Sequence, residues 1–362
     1  MPHQEHSIKL DLVLPVGDVH RKMGVFYNPQ MISNRNISLV LLKCWPRQQM
    51  DVADPLAGSG IRSLRFLKEL PRGKIGRIFV NDKKENFPDI FQQYLRFNGL
   101  KTKDVVIGNE DAELFLLSQH TPEFCGYFDY IDIDPFGSPN PFLAAAVERI
   151  KRGGILAITA TDTAALTGTY PSVTRRKYWA ETVKTHLMHE TGLRILIRKV
   201  QLQGVQFDKA LIPILSYHKD HYFRIYFRSE KGKSRCDEVL KQHQYLLLHQ
   251  KTLEFSVQRY PQKGMPVLGP LWAGNLVDQE LLQDMVQNNT FPEEQKFLEL
   301  LEEESKITTV GFYDLHVLAR KYKKEPPKME FALKKLNGVR THFSLTGVKT
   351  GKGVKEVVKV LR

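Results

Sequence analysis

Asp134-Pro135-Phe136 closes the apolar run Tyr130-Ile131-Asp132-Ile133 and sets a carboxylate beside a flat ring. The run reads as a buried strand, and the proline fixes the direction in which the acid leaves it. Such a pair can take a planar nucleobase by its face and accept the N–H of an exocyclic amine at its edge. The lone pair of an aryl amine is delocalised into its ring and attacks poorly. An acceptor on the N–H localises that pair and can take the proton as a methyl group arrives. Asp132 lies two residues earlier on the same strand face and reads as support for Asp134. Upstream, Val25-Phe26-Tyr27-Asn28-Pro29 and Asn34-Arg35-Asn36 read by themselves as an apolar loop with a surface arginine. With a methyl donor nearby, Phe26 could cover the second face of the base, and Arg35 could meet a donor carboxylate.

The donor is sought upstream. Asp54-Pro55-Leu56-Ala57-Gly58-Ser59-Gly60-Ile61-Arg62 follows an expected strand, and its glycines let backbone approach a ligand closely. Ser63 breaks the dinucleotide pattern of three glycines, and an acid before the glycines is more typical of S-adenosylmethionine sites than of nicotinamide sites. Asp82, at the end of the next strand, can accept both ribose hydroxyls. Asp111, with Ala112 behind it, can face an adenine amine. Each has a plain alternative: a tight turn for the glycines, a helix cap for either acid. Their conjunction at successive strand ends favours one shared adenosyl ligand.

The elements that must hold these residues alternate. Strands are expected over 51–54, 77–80, 104–107, 127–133 and 155–158, with helices over 61–70, 90–98 and 142–150 and a Gly153-Gly154 turn. Two more strands are expected at 193–200 and 222–227. This is an α/β pattern, a doubly wound, mostly parallel sheet whose ligands sit at the carboxyl ends of the strands. Past 229 the texture changes. Ser229 to Cys236 reads as a linker, and helices are expected over 239–249, 278–287, 293–304, 313–322 and 329–336. Pro261 to Gly274 reads as a long ordered loop, and 340–350 as a turn with a short strand. The division is 1–229 and 237–362.

The chain has 362 residues, with 53 Lys+Arg against 40 Asp+Glu, a net charge of +13. That balance points to a polyanion partner. The basic clusters are 175–177, 231–235 and 320–324. No apolar run approaches a membrane span, and Met1 to His6 does not resemble a secretory signal. Cys44, Cys125 and Cys236 lie far apart, so neither a disulfide framework nor a zinc knuckle is indicated, and a cytoplasmic setting follows. His186, His189, His218 and His221 read as structural.

The chain resembles the tRNA guanine-26 N2-dimethyltransferases of archaeal type. The matching pieces are Val25 to Pro29, Asn34-Arg35, Ser59 to Arg62, Asn81-Asp82, Asp132 to Pro139, His189 to Leu196 and Thr341 to Thr350, in family order over nearly the whole chain. The resemblance implies a Rossmann-like class I methyltransferase with a smaller, largely helical α+β C-terminal domain that binds tRNA. It implies S-adenosylmethionine as methyl donor, held by Arg35, Arg62, Asp82, Asp111 and Ala112, with Arg65 as the alternative to Arg62. It places Asp134 as the catalytic acceptor and Phe26 and Phe136 around the guanine. Many relatives carry a zinc-binding cysteine cluster after the methyltransferase core. This chain has only Cys236 there, so no metal is expected. Asn36 and Leu345 depart from a frequent Asp and Pro. No membrane and no obligate protein partner are indicated. The rival readings are an aminomethyltransferase for another RNA or DNA base, a nicotinamide oxidoreductase, and a non-catalytic tRNA-binding protein of the same fold.

Overall fold

The computed structural model describes residues 3–11 and 25–362; Met1 and Pro2 of the stretch read for a signal lie outside them. The chain divides into two compact units. The first comprises 1–160, 226–229 and 287–294, the second 161–225, 230–286 and 295–362.

The first unit begins with an antiparallel pair, β1 (His3–Glu5) and β2 (Ile8–Leu10). Helix α1 (Ile32–Cys44) leads into β3 (Met50–Asp54), α2 (Ile61–Glu69), β4 (Ile75–Asn81), α3 (Phe87–Phe97), β5 (Val105–Gly108) and α4 (Ala112–Ser118). Then come β6 (Phe128–Ile133), α5 (Leu143–Arg149) and β7 (Ile150–Ala160). Strands β3 and β6 are buried along their whole length, as expected of parallel strands covered on both faces. Pairing is parallel between β3 and β4, β4 and β5, β3 and β6, and β6 and β7. The sheet order is β5-β4-β3-β6-β7-β9-β8, where β8 is Lys209–Lys219 and β9 Tyr222–Lys231. The chain winds outward from β3 in one direction and from β6 in the other. The crevice beyond their carboxyl ends is the switch point where such sheets bind ligands.

The second unit carries α6 (Thr163–Leu166), α7 (Pro171–Tyr178), α8 (Met188–Val205) and α9 (Lys233–Lys241). A three-stranded sheet follows: β10 (His243–Leu248) between β11 (Phe255–Gln258) and β12 (Val267–Trp272). Helices α10 (Gln279–Gln287) and α11 (Pro292–Ser305) precede β13 (Tyr313–Asp314), α12 (Leu315–Tyr322) and α13 (Met329–Leu336). Strands β14 (Val339–Thr341) and β15 (Ser344–Lys349) complete a second small sheet in the order β13-β15-β14, and α14 (Val354–Val360) ends the chain. Leu315, Leu318, Leu336, Val348 and Val357 form a core between these helices and that sheet.

Several expectations need correction. Residues 193–200 form the middle of helix α8, not a strand. Every residue from Glu190 to Ile197 is buried, so the helix has no polar face there and no visible period of 3.6. The segment 239–249 divides after Lys241, where a helix gives way to β10. The expected linker at 229–236 is the end of β9 and the start of α9. The expected loop 261–274 contains β12. Gly153-Gly154 does not end a helix but lies inside β7, at a register shift between Phe128↔Ile150 and Tyr130↔Ile155. The stretch around Arg35 is the first turn of α1, and Arg35 is buried rather than on the surface.

Candidate active site

Asp134 leaves the carboxyl end of β6 and is met by one guanidinium. Arg62, in the first turn of α2, donates Nη2 to Asp134 Oδ2 at 2.5 Å and lies 3.5 Å from Asp132. Arg62 is itself fixed by α1: it donates to Ser38 Oγ and to Asn34 Oδ1, both at 2.9 Å. Helix α1 thus aims Arg62, and Arg62 aims Asp134. One oxygen of Asp134 is committed, and the other receives no hydrogen bond among the described residues. Asp132 is fully buried and takes the Tyr130 hydroxyl at 2.6 Å. Asp54, at the end of β3, is also buried and takes the Ser63 hydroxyl at 2.7 Å. Burial, then the nearby Asp132, pushes the Asp54 carboxyl up to about 7. Three carboxylates therefore crowd around one arginine.

The glycine turn beside them is tied to the neighbouring strand ends. Gly58 and Gly60 have left-handed φ of 59° and 73°. A Cβ at Gly60 would come within 2.3 Å of the Phe91 ring, so the turn sits hard against α3. Asp82 Oδ2 accepts the Gly58 N–H at 2.8 Å, and its other oxygen accepts the Lys84 N–H at 3.0 Å. Buried Asn81 ties three loops together. Its side chain donates to the carbonyls of Pro55 and Glu110, and its own carbonyl accepts from Ala57. Asp111 is exposed at the N-cap of α4, where it accepts the Glu113 N–H, with Ala112 buried behind it. Ser59 Oγ, in the middle of the turn, is buried with no hydrogen-bond partner among the described residues. An orphaned hydroxyl in a glycine turn, flanked by carboxylates at the ends of β4 and β5, suits a ligand with a sugar diol and an amine.

The two expected rings meet. Phe26 and Phe136 pack edge to face with centroids 4.2 Å apart. A Cβ at Gly58 would lie 3.0 Å from the Phe26 ring, so Phe26 bridges the glycine turn and the Asp-Pro-Phe end of β6. Two rings sandwiching a base stand about 7 Å apart, twice a van der Waals contact, so admitting one means parting this pair. Arg35 is oriented differently from the expectation. It donates Nε and Nη2 to the two oxygens of Glu5 at 2.7 and 2.6 Å, and Nη2 also reaches the Asn28 carbonyl. Only its Nη1 has no hydrogen-bond partner among the described residues. Arg65 is completely buried and bridges Glu5 and Glu69. Burial alone would raise the Glu5 carboxyl, but the Arg35 and Arg65 guanidiniums outweigh it and hold it down to about 2.

The structure thus brings together Asp134, Arg62, Phe26, Phe136, Gly58 and Asp82, while Asp111 and Ala112 stand at the head of α4 and Arg35 is shared with Glu5. Sequence reasoning quoted Asn34 beside Arg35 but not its hold on Arg62, and it missed Ser38 and Glu5. Their signal was weak, because a strand residue near the N-terminus and a serine in an unrecognised helix carry no motif. Asp54 was visible as the acid before the glycines.

Comparisons with known proteins bear on the family of the chain. The family model for N2,N2-dimethylguanosine tRNA methyltransferase matches residues 4–362. A tRNA (guanine(26)-N(2)/guanine(27)-N(2))-dimethyltransferase of Aquifex aeolicus is 37% identical over 360 residues, covering 94% of this chain and 90% of its own length. A tRNA (guanine(26)-N(2))-dimethyltransferase of Pyrococcus furiosus is 34% identical and covers 99% of this chain and 97% of its own. The solved structure of Trm1 from Pyrococcus horikoshii with S-adenosyl-L-methionine superposes with a TM-score of 0.89 at 32% identity, covering 100% of both chains. The chain belongs to the N2,N2-dimethylguanosine tRNA methyltransferase family.

Proposed function

We propose that this protein transfers one or two methyl groups from S-adenosylmethionine to the exocyclic N2 of guanine 26 in tRNA. The observation that carries the reading is Asp134, fastened by Arg62 through one oxygen and beside the Phe26–Phe136 ring pair. S-adenosylmethionine supplies an electrophilic sulfonium methyl group. Asp82 and Asp111 would take its ribose hydroxyls and adenine amine, the Gly58–Gly60 turn with Ala112 and Ser59 its close approach, and Arg35 Nη1 and Arg62 its carboxylate end.

The rest of the work falls to the chain. Guanine 26 leaves its stack, at a cost of about a few kcal/mol, and Phe26 and Phe136 part to take it. The open oxygen of Asp134 accepts an N2–H and turns the nitrogen lone pair toward the methyl group. Arg62 keeps that carboxylate in place, so it acts as an acceptor before transfer and as a proton sink after it. A weak base is enough, because the methylated nitrogen is cationic and strongly acidic. The monomethyl product retains one N–H, so the same acceptor serves a second transfer. Positioning supplies much of the rate, as the reaction becomes effectively unimolecular.

Residues 1–229 would carry the donor and the chemistry, and 237–362 would grip tRNA by its phosphates and shape. Among the described residues no helix is long and apolar enough to cross a membrane. No group of His, Cys, Asp and Glu that could hold a metal is found there either. We place the protein in the cytoplasm, acting without an obligate protein partner. The test is methylation of a tRNA transcript by purified protein, with the product mapped by nucleoside digestion and primer extension. N2-methylated guanosine at position 26 is expected, and its loss in a transcript with adenine there. Transfer to another nucleotide, or none, would overturn the reading.

A further inference from the structure

Helix α7 ends in Arg175-Arg176-Lys177 and is followed by Trp179, whose backbone is left-handed with φ 53°. A bulky aromatic residue rarely adopts that conformation, and such strain gathers at functional sites. Trp179 is 48% exposed and Tyr170, at the other end of the helix, is 57% exposed. The indole lies over the ammonium of Lys199, with Nζ 3.0 Å from the ring centroid. Lys199 comes from α8 and is only 5% exposed, yet among the described residues its ammonium meets no carboxylate and no hydrogen-bond acceptor. Beside it, Arg198 donates Nη1 to the Trp179 carbonyl at 3.1 Å, and its Nε is buried without a partner among the described residues.

A buried cation beside a half-buried one, with no anion among the described residues, works against folding. The cation–π contact offsets part of that cost. Burial, then the Arg198 charge, lowers Lys199 to about 8, so it is still mostly protonated at neutral pH. The surroundings supply little compensation. Over 170–184 and 198–199 there are six cations, Arg175, Arg176, Lys177, Lys184, Arg198 and Lys199, and one acid, Glu181. Glu181 is already paired with Arg175 at 3.1 Å, and Asp162 is taken by the Tyr178 hydroxyl and Lys177. No counter-charge for Lys199 stands among the described residues, which leaves a place for an anion from a partner.

We propose that Trp179, set over Lys199 and Arg198 and flanked by Arg175 and Arg176, is a docking site for the tRNA sugar–phosphate backbone, a phosphate supplying the missing anion and an unstacked base lying on the indole. The inference rests on tRNA being the substrate, and it puts a tRNA contact outside residues 237–362.

The test is tRNA-transcript binding by filter assay at two salt concentrations, with the methylation KM for tRNA. S-adenosylmethionine affinity serves as the control. Lys199→Met is expected to weaken tRNA binding about tenfold while raising the melting temperature, because an uncompensated charge leaves the interior. A purely structural Lys199 would give the second effect without the first. Trp179→Ala is expected to weaken binding about tenfold or more through lost stacking. Arg175→Gln with Arg176→Gln is expected to flatten the dependence of log affinity on log salt by about one to two. S-adenosylmethionine affinity stays at the wild-type value in all of them. The proposal is overturned if wild-type protein methylates guanine 26 and these variants bind tRNA within twofold of it. If wild-type protein neither binds nor methylates tRNA, the proposed function itself fails and this site falls with it.

Discussion

Two buried charge clusters in this molecule use the same kinds of side chain to opposite ends. In the second unit, Glu190 accepts from Arg194 at 2.9 Å, from the Gly311 N–H at 3.0 Å and from Lys349 at 3.3 Å. Glu304 accepts from the Thr341 hydroxyl at 2.6 Å, His342 Nδ1 at 2.5 Å and Lys349 at 3.3 Å. His342 Nε2 in turn accepts the His218 N–H, so its Nδ1 carries the proton given to Glu304. Burial alone would raise both carboxyls, but the cations around them outweigh it, and both lie below the usual carboxylate range. Two acids face two permanent cations and a histidine, and the cluster holds strands and helices together. At the ends of β3 and β6, Arg62 pairs with Asp132 and Asp134, and its charge also acts on Asp54. There three acids crowd one arginine, and one oxygen of Asp134 receives no hydrogen bond among the described residues. A cluster whose acids are matched by cations fastens the fold, whereas an acid-rich one at the strand ends is built to receive a ligand.

That contrast can be broken at several points. Asp134→Asn is expected to lower methyl transfer by about 10²–10⁴, the range of a general acid–base contribution, with S-adenosylmethionine binding retained. Single-turnover assays on a tRNA transcript measure it, and an undiminished rate would remove Asp134 from the chemistry. Glu304→Ala is expected to cost about 3–5 kcal/mol of stability, because it strands Lys349 and His342. Urea unfolding reads this, and Asp134→Asn should cost less than about 1 kcal/mol in the same measurement. Equal losses from the two would erase the distinction between the clusters.

Asp54 offers a pH test. Its folded value of about 7 lies above the ordinary 3.8, so its contribution is fully present below pH 3.8 and is lost as pH rises through 7. Asp54→Asn should therefore gain on wild type by on the order of 2–4 kcal/mol between pH 4 and 8. A stability difference that stays flat over that range would contradict the crowding of acids. The smallest effect belongs to the rings: Phe136→Leu should raise the KM for tRNA by about 1 kcal/mol of lost stacking, with S-adenosylmethionine affinity unchanged. An unchanged KM would take Phe136 away from the base.

The strand-end chemistry was legible because each piece is local. Asp134-Pro135-Phe136, the glycine turn and Asp82 need only a strand, a tight turn and the next strand, all written within a few residues. Arg62 and Asp134 were both singled out, but for different roles, and their 2.5 Å contact had no mark in either motif. Helix α8 was misread because its surroundings bury it on all sides. Helix α1 was missed because Asn34, Arg35, Asn36 and Ser38 are polar yet buried, their partners lying far away in the chain.

The order of strands and turns around β3, β4 and β6, the acids at their ends and the family that carries them could all be read from the residues. These follow from periodicity, glycine and proline, which act over a few residues. The fold alone shows that α1 holds Arg62 and Arg62 holds Asp134, that Glu5 takes Arg35, that Phe26 meets Phe136, and that Lys199 lies buried with no anion among the described residues. Each of these is a contact between residues far apart in sequence, and a charge is paired or left unpaired only when the fold brings its neighbours to it.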